Sequence, residues 1–97
     1  MLQALNTPQI NKIFENYSVK KAALFGSYAK NENNPRSDID ILVQFEEGKT
    51  PSYFKFFDFE KELQTHFDKQ IDIVTFNSLN KYLRDEIINT MKVFYEK

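Results

Sequence analysis

The sequence predicts an α+β fold, a small mixed β-sheet with helices packed on it. Three observations carry that expectation. Three short apolar runs of strand length, residues 19–25, 38–46 and 69–76, are rich in Val, Ile, Leu and Phe. Stretches with helical spacing and helix-start residues lie between and beyond them. No internal repeat, low-complexity segment or linker interrupts the chain, and its 97 residues suffice for one small domain, residues 1–97.

Each element has a local reason. Thr7 stands as an N-cap with Pro8 in the first helical position, and Ile10, Ile13, Phe14 and Tyr17 follow at helical spacing. Residues 19–25 read as a strand ending in the turn Gly26-Ser27. Residues 28–30 predict a short helix, which Asn31 can end in the left-handed conformation; Asn33-Asn34-Pro35 is a loop. Residues 38–46 form the clearest strand: Ile39, Ile41, Val43 and Phe45 share one face, and Asp38, Asp40, Leu42 and Gln44 the other. Glu46-Glu47-Gly48-Lys49 is a turn. Thr50-Pro51 opens a second helix, expected to run to about Phe67, and residues 69–76 form a third strand. Asn77 or Ser78 is the expected cap of a last helix with Leu79, Tyr82, Leu83, Ile87 and Met91 inward, and Val93-Phe94-Tyr95 adds a short edge strand.

Composition narrows the chemistry. A domain this small buries only about 60% of its unfolded surface, and the 15% aromatic content compensates for the thin core. The absence of cysteine excludes disulfides and cysteine zinc sites, and the lone His66 excludes a histidine cluster. Hard, oxygen-liganded ions such as magnesium or manganese remain. The net charge is −1, with acidic and basic residues interleaved and no basic patch, which argues against strong nucleic-acid binding. No apolar run reaches the length of a membrane span, and the start MLQALNTPQ has no signal-peptide pattern, so a cytoplasmic location is expected.

The candidate site lies in GSYAKNENNPRSDID. Gly26-Ser27 follows an apolar run, ten residues intervene, and Asp38-Ile39-Asp40 opens the next strand. Asp38 and Asp40 are two apart on a strand and point the same way, their α-carbons roughly 6.5–7 Å apart. Asp72 interrupts the later run Ile71-Asp72-Ile73-Val74 and can join them from a neighbouring strand. Carboxylates so placed suit one or two metal ions that clamp a phosphoryl group; without metal they repel one another. Gly26 permits close backbone approach to a phosphate, Ser27 supplies a hydroxyl, and Lys30 and Arg36 flank the place with positive charge. Each part has an ordinary reading: a common turn, a solvated strand edge, a partly exposed strand residue. Their spacing, strand context and order agree, and that combination is more specific than its parts.

These residues resemble the nucleotidyltransferase superfamily that includes DNA polymerase beta. Within it the chain is similar to the minimal nucleotidyltransferases, small proteins often paired with a HEPN-domain partner. The pattern Gly-Ser, ten residues, Asp-x-Asp and a later strand Asp fits without a gap, and the likeness runs from about Val19 to Ile88. The resemblance implies the polymerase beta-like nucleotidyltransferase fold. It implies that Gly26 and Ser27 contact a triphosphate, with Lys30 and Arg36 beside it. Asp38, Asp40 and Asp72 would be both the catalytic residues and the ligands of Mg2+, two ions or alternatively Mn2+. ATP would be the substrate: an acceptor hydroxyl attacks its α-phosphorus and pyrophosphate leaves. The acceptor implied is a tyrosine of a HEPN toxin, with this chain as its antitoxin. Where the family often has Arg-Gly, this chain has Lys30-Asn31, which keeps the charge and loses the planar fork.

Two other readings stay open here: a binding module that neutralises a partner by contact alone, and a nucleotidyltransferase acting on a small molecule. A homo-oligomer is open as well. The segment Tyr53-Phe54-Lys55-Phe56-Phe57-Asp58-Phe59 carries five aromatics, more than one helix face can bury in a thin core. Those left outside would form a partner surface, against the alternative that all pack on the N-terminal helix. His66 is expected at the surface or its boundary.

Overall fold

The computed structural model describes residues 7–26, 39–67 and 70–97. Helix α1 spans Pro8–Asn16, strand β1 Val19–Phe25 and strand β2 Ile39–Phe45. Helix α2 spans Tyr53–Gln64, strand β3 Ile71–Thr75, helix α3 Lys81–Thr90 and strand β4 Lys92–Glu96, with one 3-10 turn at Phe76–Ser78. The helix expected over residues 28–30 lies outside the described residues.

The helix starts follow side-chain capping. Thr7 caps α1 as expected, its hydroxyl accepting from the Ile10 amide at 3.2 Å. Two starts differ from the sequence reading. Helix α2 begins at Tyr53, capped by Ser52 rather than opened at Thr50-Pro51, because the Ser52 hydroxyl accepts from the Lys55 amide at 3.3 Å. It ends at Gln64, short of Phe67. Helix α3 begins after Asn80, not after Asn77 or Ser78. Those two residues instead belong to the 3-10 turn, and the Asn80 side chain accepts from the Leu83 amide at 2.9 Å. The inward residues of α3 change accordingly. Ile87 is buried and Leu79 and Met91 are half-buried, but Tyr82 is 88% exposed and Leu83 47%. The first turn of α3 therefore presents its apolar side chains to solvent. In the turn joining β2 to α2 the Lys49 amide donates to the Glu46 carbonyl at 2.9 Å. Gly48 supplies the positive φ of 76° that the turn requires.

The sheet has the order β3-β2-β1-β4. β1 pairs antiparallel with β2 and with β4, while β2 and β3 are parallel. Parallel neighbours need a crossover, and α2 supplies it. The edge strand expected around Val93-Phe94-Tyr95 is β4.

One face of the sheet carries the core. Val19, Ala22 and Leu24 of β1 and Ile39, Ile41, Val43 and Phe45 of β2 cluster with Ile10, Ile13 and Phe14 of α1 and Phe59 and Leu63 of α2. Phe14 and Phe59 are fully buried, their ring centres 6.1 Å apart, and Phe45 meets Phe59 at 5.9 Å. The alternation read along residues 38–46 is thus the actual division of β2 between core and site. The apolar half anchors the strand and leaves Asp40, Leu42 and Gln44 on the other face.

Candidate active site

Strand register assembles the site. Asp40 of β2 lies directly beside Asp72 of β3 in the parallel pair, and directly opposite Phe25 of β1 in the antiparallel one. Neighbouring strands stand about 4.8 Å apart, and residues opposite each other share a face. A row Asp72–Asp40–Phe25 therefore crosses three strands at the end of β1 where Gly26 turns the chain away. Asp72 is exposed on the edge strand, and Asp40 is half-buried.

Gly26 closes the row. It has φ +71°, and a Cβ placed on it would stand 2.5 Å from Asp40 Oδ2. Glycine is required here twice over, by backbone conformation and by the approach of the Asp40 carboxylate to the turn.

A further carboxylate borders the site. Glu60 on α2 is half-buried, and its carboxyl is pushed above the ordinary glutamate value, first by burial and then by the charge of Asp72. Excess negative charge of this kind suits a bound cation. Asp40 and Asp72 offer carboxylate oxygens with no histidine or thiol between them, a donor set that fits a hard ion such as magnesium or manganese. Among the described residues no group of three His, Cys, Asp or Glu forms a metal cluster. Asp38, Ser27, Lys30 and Arg36, the other residues expected at the site, lie outside the described residues.

Of the expected site residues, the structure brings together Gly26, Asp40 and Asp72. It adds Phe25 and Glu60, which the sequence reading did not select. Phe25 sits next to the Gly-Ser turn but read as an ordinary strand residue. Glu60 carried no signal, since its nearness to Asp72 depends on how the crossover helix returns to the sheet.

The family model described as polymerase beta nucleotidyltransferase matches residues 8–97. The chain belongs to this family. It is 43% identical over 81 residues to "Putative protein adenylyltransferase MJ0435" of Methanocaldococcus jannaschii, covering 84% of this chain and 85% of that one. It is 31% identical over 87 residues to the protein adenylyltransferase MntA of Thermococcus cleftensis, covering 90% and 86%. A chain in the complex of tri-AMPylated Shewanella oneidensis HEPN toxin with MNT antitoxin shares the fold. Its TM-score is 0.69 at 24% identity, and the match covers all of this chain and 74% of that one. The nucleotidyltransferase membership and the small mixed sheet expected from the sequence are both borne out.

The aromatic segment divides as its helical spacing allows. Phe59 is buried and Phe56 half-buried, whereas Tyr53 is 86% exposed, Phe54 83% and Phe57 52%. The alternative that all five pack on the N-terminal helix fails, because α2 turns only one face to the core. Tyr53 and Phe56 also line an open groove beside β3 with Ile73, Val74 and Thr75. His66 is exposed. No helix among the described residues is long and apolar enough to cross a membrane.

Proposed function

We propose that this nucleotidyltransferase is a magnesium-dependent protein adenylyltransferase. It transfers AMP from ATP to a tyrosine hydroxyl of a HEPN-domain toxin and serves as that toxin's antitoxin. The observation that carries the reading is the pairing of Asp40 with Asp72, side by side in parallel register against Gly26. The names of the two relatives and the AMPylated HEPN toxin of the matching complex support the reaction and its acceptor.

Asp38, Asp40 and Asp72 would hold one or two magnesium ions. Bound there, the metal supplies charge neutralisation for the phosphates. Gly26 and Ser27 cradle the triphosphate through the backbone and a hydroxyl, and Lys30 and Arg36 balance its charge. The acceptor oxygen bonds to the α-phosphorus as the bond to the β-phosphate breaks, and pyrophosphate leaves. Asp72, the exposed carboxylate of the row, would take the proton of the acceptor hydroxyl. Such a site works by positioning and electrostatics more than by covalent chemistry. The exposed Tyr53, Phe54 and Phe57 give a protein partner an apolar surface to dock on.

The test is label transfer from α-phosphate-labelled ATP with magnesium, in lysate of the source cells. A protein band labelled by the intact chain, absent with Asp38→Asn/Asp40→Asn and absent with γ-labelled ATP, is expected. Neutralisation of the partner that survives the double variant would point instead to binding by contact, and label transfer by that variant would refute the role given to Asp38 and Asp40. Labelling of a low-molecular-weight acceptor alone would make the enzyme a small-molecule nucleotidyltransferase.

A further inference from the structure

We propose that the acceptor docks on the open edge of β3 as an extended segment. It adds a strand beside β3, with its tyrosine opposite Asp72 and an apolar residue next to that tyrosine. The proposal rests on the adenylyltransferase reading above and names how the protein substrate is held.

Register opens this edge. β3 and β4 are the two outer strands of the sheet. The Ile39 amide donates to the Gln70 carbonyl at 2.9 Å, and Ile39 is level with Ile71. Alternate residues of β3 then bond to β2, so Ile71, Ile73 and Thr75 turn their backbone groups outward. Two of these groups are engaged locally. The Ile71 amide donates to the Gln64 side-chain oxygen at 2.9 Å, and the Thr75 carbonyl accepts from the Ser78 hydroxyl at 2.8 Å. The amides of Ile73 and Thr75 and the carbonyl of Ile73 have no partner among the described residues.

The other edge is guarded. β4 carries Lys92 and Glu96, and ion pairs join Lys21 to Glu96 at 3.3 Å and Lys97 to Glu46 at 3.2 Å. Charges of this kind keep a sheet edge from pairing with another chain. The run Ile71-Asp72-Ile73-Val74-Thr75 has no lysine or proline, and its one charge is the carboxylate that the site uses. The unguarded edge is therefore the one beside the reacting groups.

The geometry also selects the occupant. A residue opposite Asp72 on an added strand shares its face and extends the row Asp72–Asp40–Phe25 by one position, about 4.8 Å from Asp72. A tyrosine there carries its hydroxyl over the site. The phenol gives its proton to Asp72, its oxygen bonds to the α-phosphorus, and pyrophosphate leaves. The residues flanking that tyrosine project to the other face, where Tyr53, Phe56 and Ile73 line the open groove. Free backbone groups pair with an extended chain, and a groove for alternate side chains fixes its register. A helix has no free backbone groups to offer the edge, and a small hydroxyl compound leaves the groove empty.

The test uses the full chain with magnesium and the nonapeptide Lys-Val-Thr-Val-Tyr-Val-Thr-Val-Lys, blocked at both ends. Its symmetric pattern suits either strand direction. Amide hydrogen exchange at Ile73 and Thr75, followed by NMR, is expected to slow about tenfold or more with the peptide bound. The peptide should also take label from α-labelled ATP. Thr75→Pro removes one edge donor without touching the ladder to β2, and the Thr75 φ of −85° is close to that of proline. It should raise the KM for the peptide about fivefold or more, the worth of one hydrogen bond, whereas Thr75→Val keeps the amide and the KM. Equal KM values for these two variants overturn the proposal, and the wild-type exchange rates decide it where Thr75→Pro fails to fold. A peptide that binds or is labelled while both amides exchange as before overturns the strand addition and leaves AMP transfer standing. Protection of both amides in a chain that labels neither peptide nor lysate protein upholds the docking edge and overturns the transfer reading alone. A peptide that neither binds nor takes label overturns the proposal, and lysate labelling then decides the transfer reading by itself.

Discussion

Gly26→Ala strikes the site at its tightest point, and its two costs fall on different observables. Gly26 has φ +71°, and a Cβ there would stand 2.5 Å from Asp40 Oδ2. The left-handed backbone costs a residue with a Cβ about 1–2 kcal/mol. In a domain of this size each kcal/mol moves Tm by about 4–8 °C. The second cost is steric. Relaxed carbon contacts lie near 3.5 Å, so the Asp40 carboxylate has to retreat by about 1 Å. A displacement of about 1 Å in a reacting geometry costs about a hundredfold in rate. Gly48→Ala is the matched control, since Gly48 has φ +76° with nothing within 4 Å of a Cβ. Both variants should lose similar Tm in thermal unfolding. Only Gly26→Ala should lose about a hundredfold in label transfer from α-labelled ATP. Equal transfer by the two variants would refute the assignment of Asp40 to the reacting centre.

Three further outcomes follow from the structure. Glu60 has a raised folded-state pKa, so its favourable contribution is present below its unfolded value and is lost as pH rises through the folded one. Glu60→Gln should therefore raise Tm at neutral pH and lose that advantage in acid; an unchanged Tm at neutral pH would contradict the charge crowding around Asp72. The Tyr17 hydroxyl donates to Glu62, and that hydrogen bond, followed by burial, pushes its pKa to about 12. Its contribution is full below the ordinary tyrosine value and lost as pH rises through about 12. Tyr17→Phe, which keeps the ring against Phe59, should lower stability by about 0.5–1 kcal/mol in urea unfolding at neutral pH, and an unchanged midpoint would show the bond to be worth nothing. Tyr53→Ser/Phe54→Ser should leave Tm nearly unchanged, because both side chains are more than four-fifths exposed. It should also abolish co-elution with the proposed HEPN-domain partner on size exclusion; retained co-elution would move the docking surface elsewhere.

Local signals were legible where one residue settles the matter. Thr7 and Pro8 start α1 because a hydroxyl and a fixed φ act within a single turn. The alternation in β2 could be read because a strand with one face in the core repeats every two residues. Competing caps were harder to rank. Thr50, Ser52, Asn77, Ser78 and Asn80 are all good cap residues, and their order is decided by where the sheet lets each helix begin. The outward turn of Tyr82 and Leu83 has the same origin, since apolar spacing on α3 does not say how much of the helix overhangs the sheet.

By itself the sequence determined the strands, the two-faced character of β2, and the glycine turn and carboxylates of the candidate site. All of these are encoded by residue type and spacing along a few neighbouring positions. Only the tertiary structure decided that Asp40 and Asp72 stand side by side, that Phe25 and Glu60 border them, and that β3 is an outer strand of the sheet. Strand partners and register depend on how a crossover helix packs onto the whole sheet, and no local window of sequence contains that information.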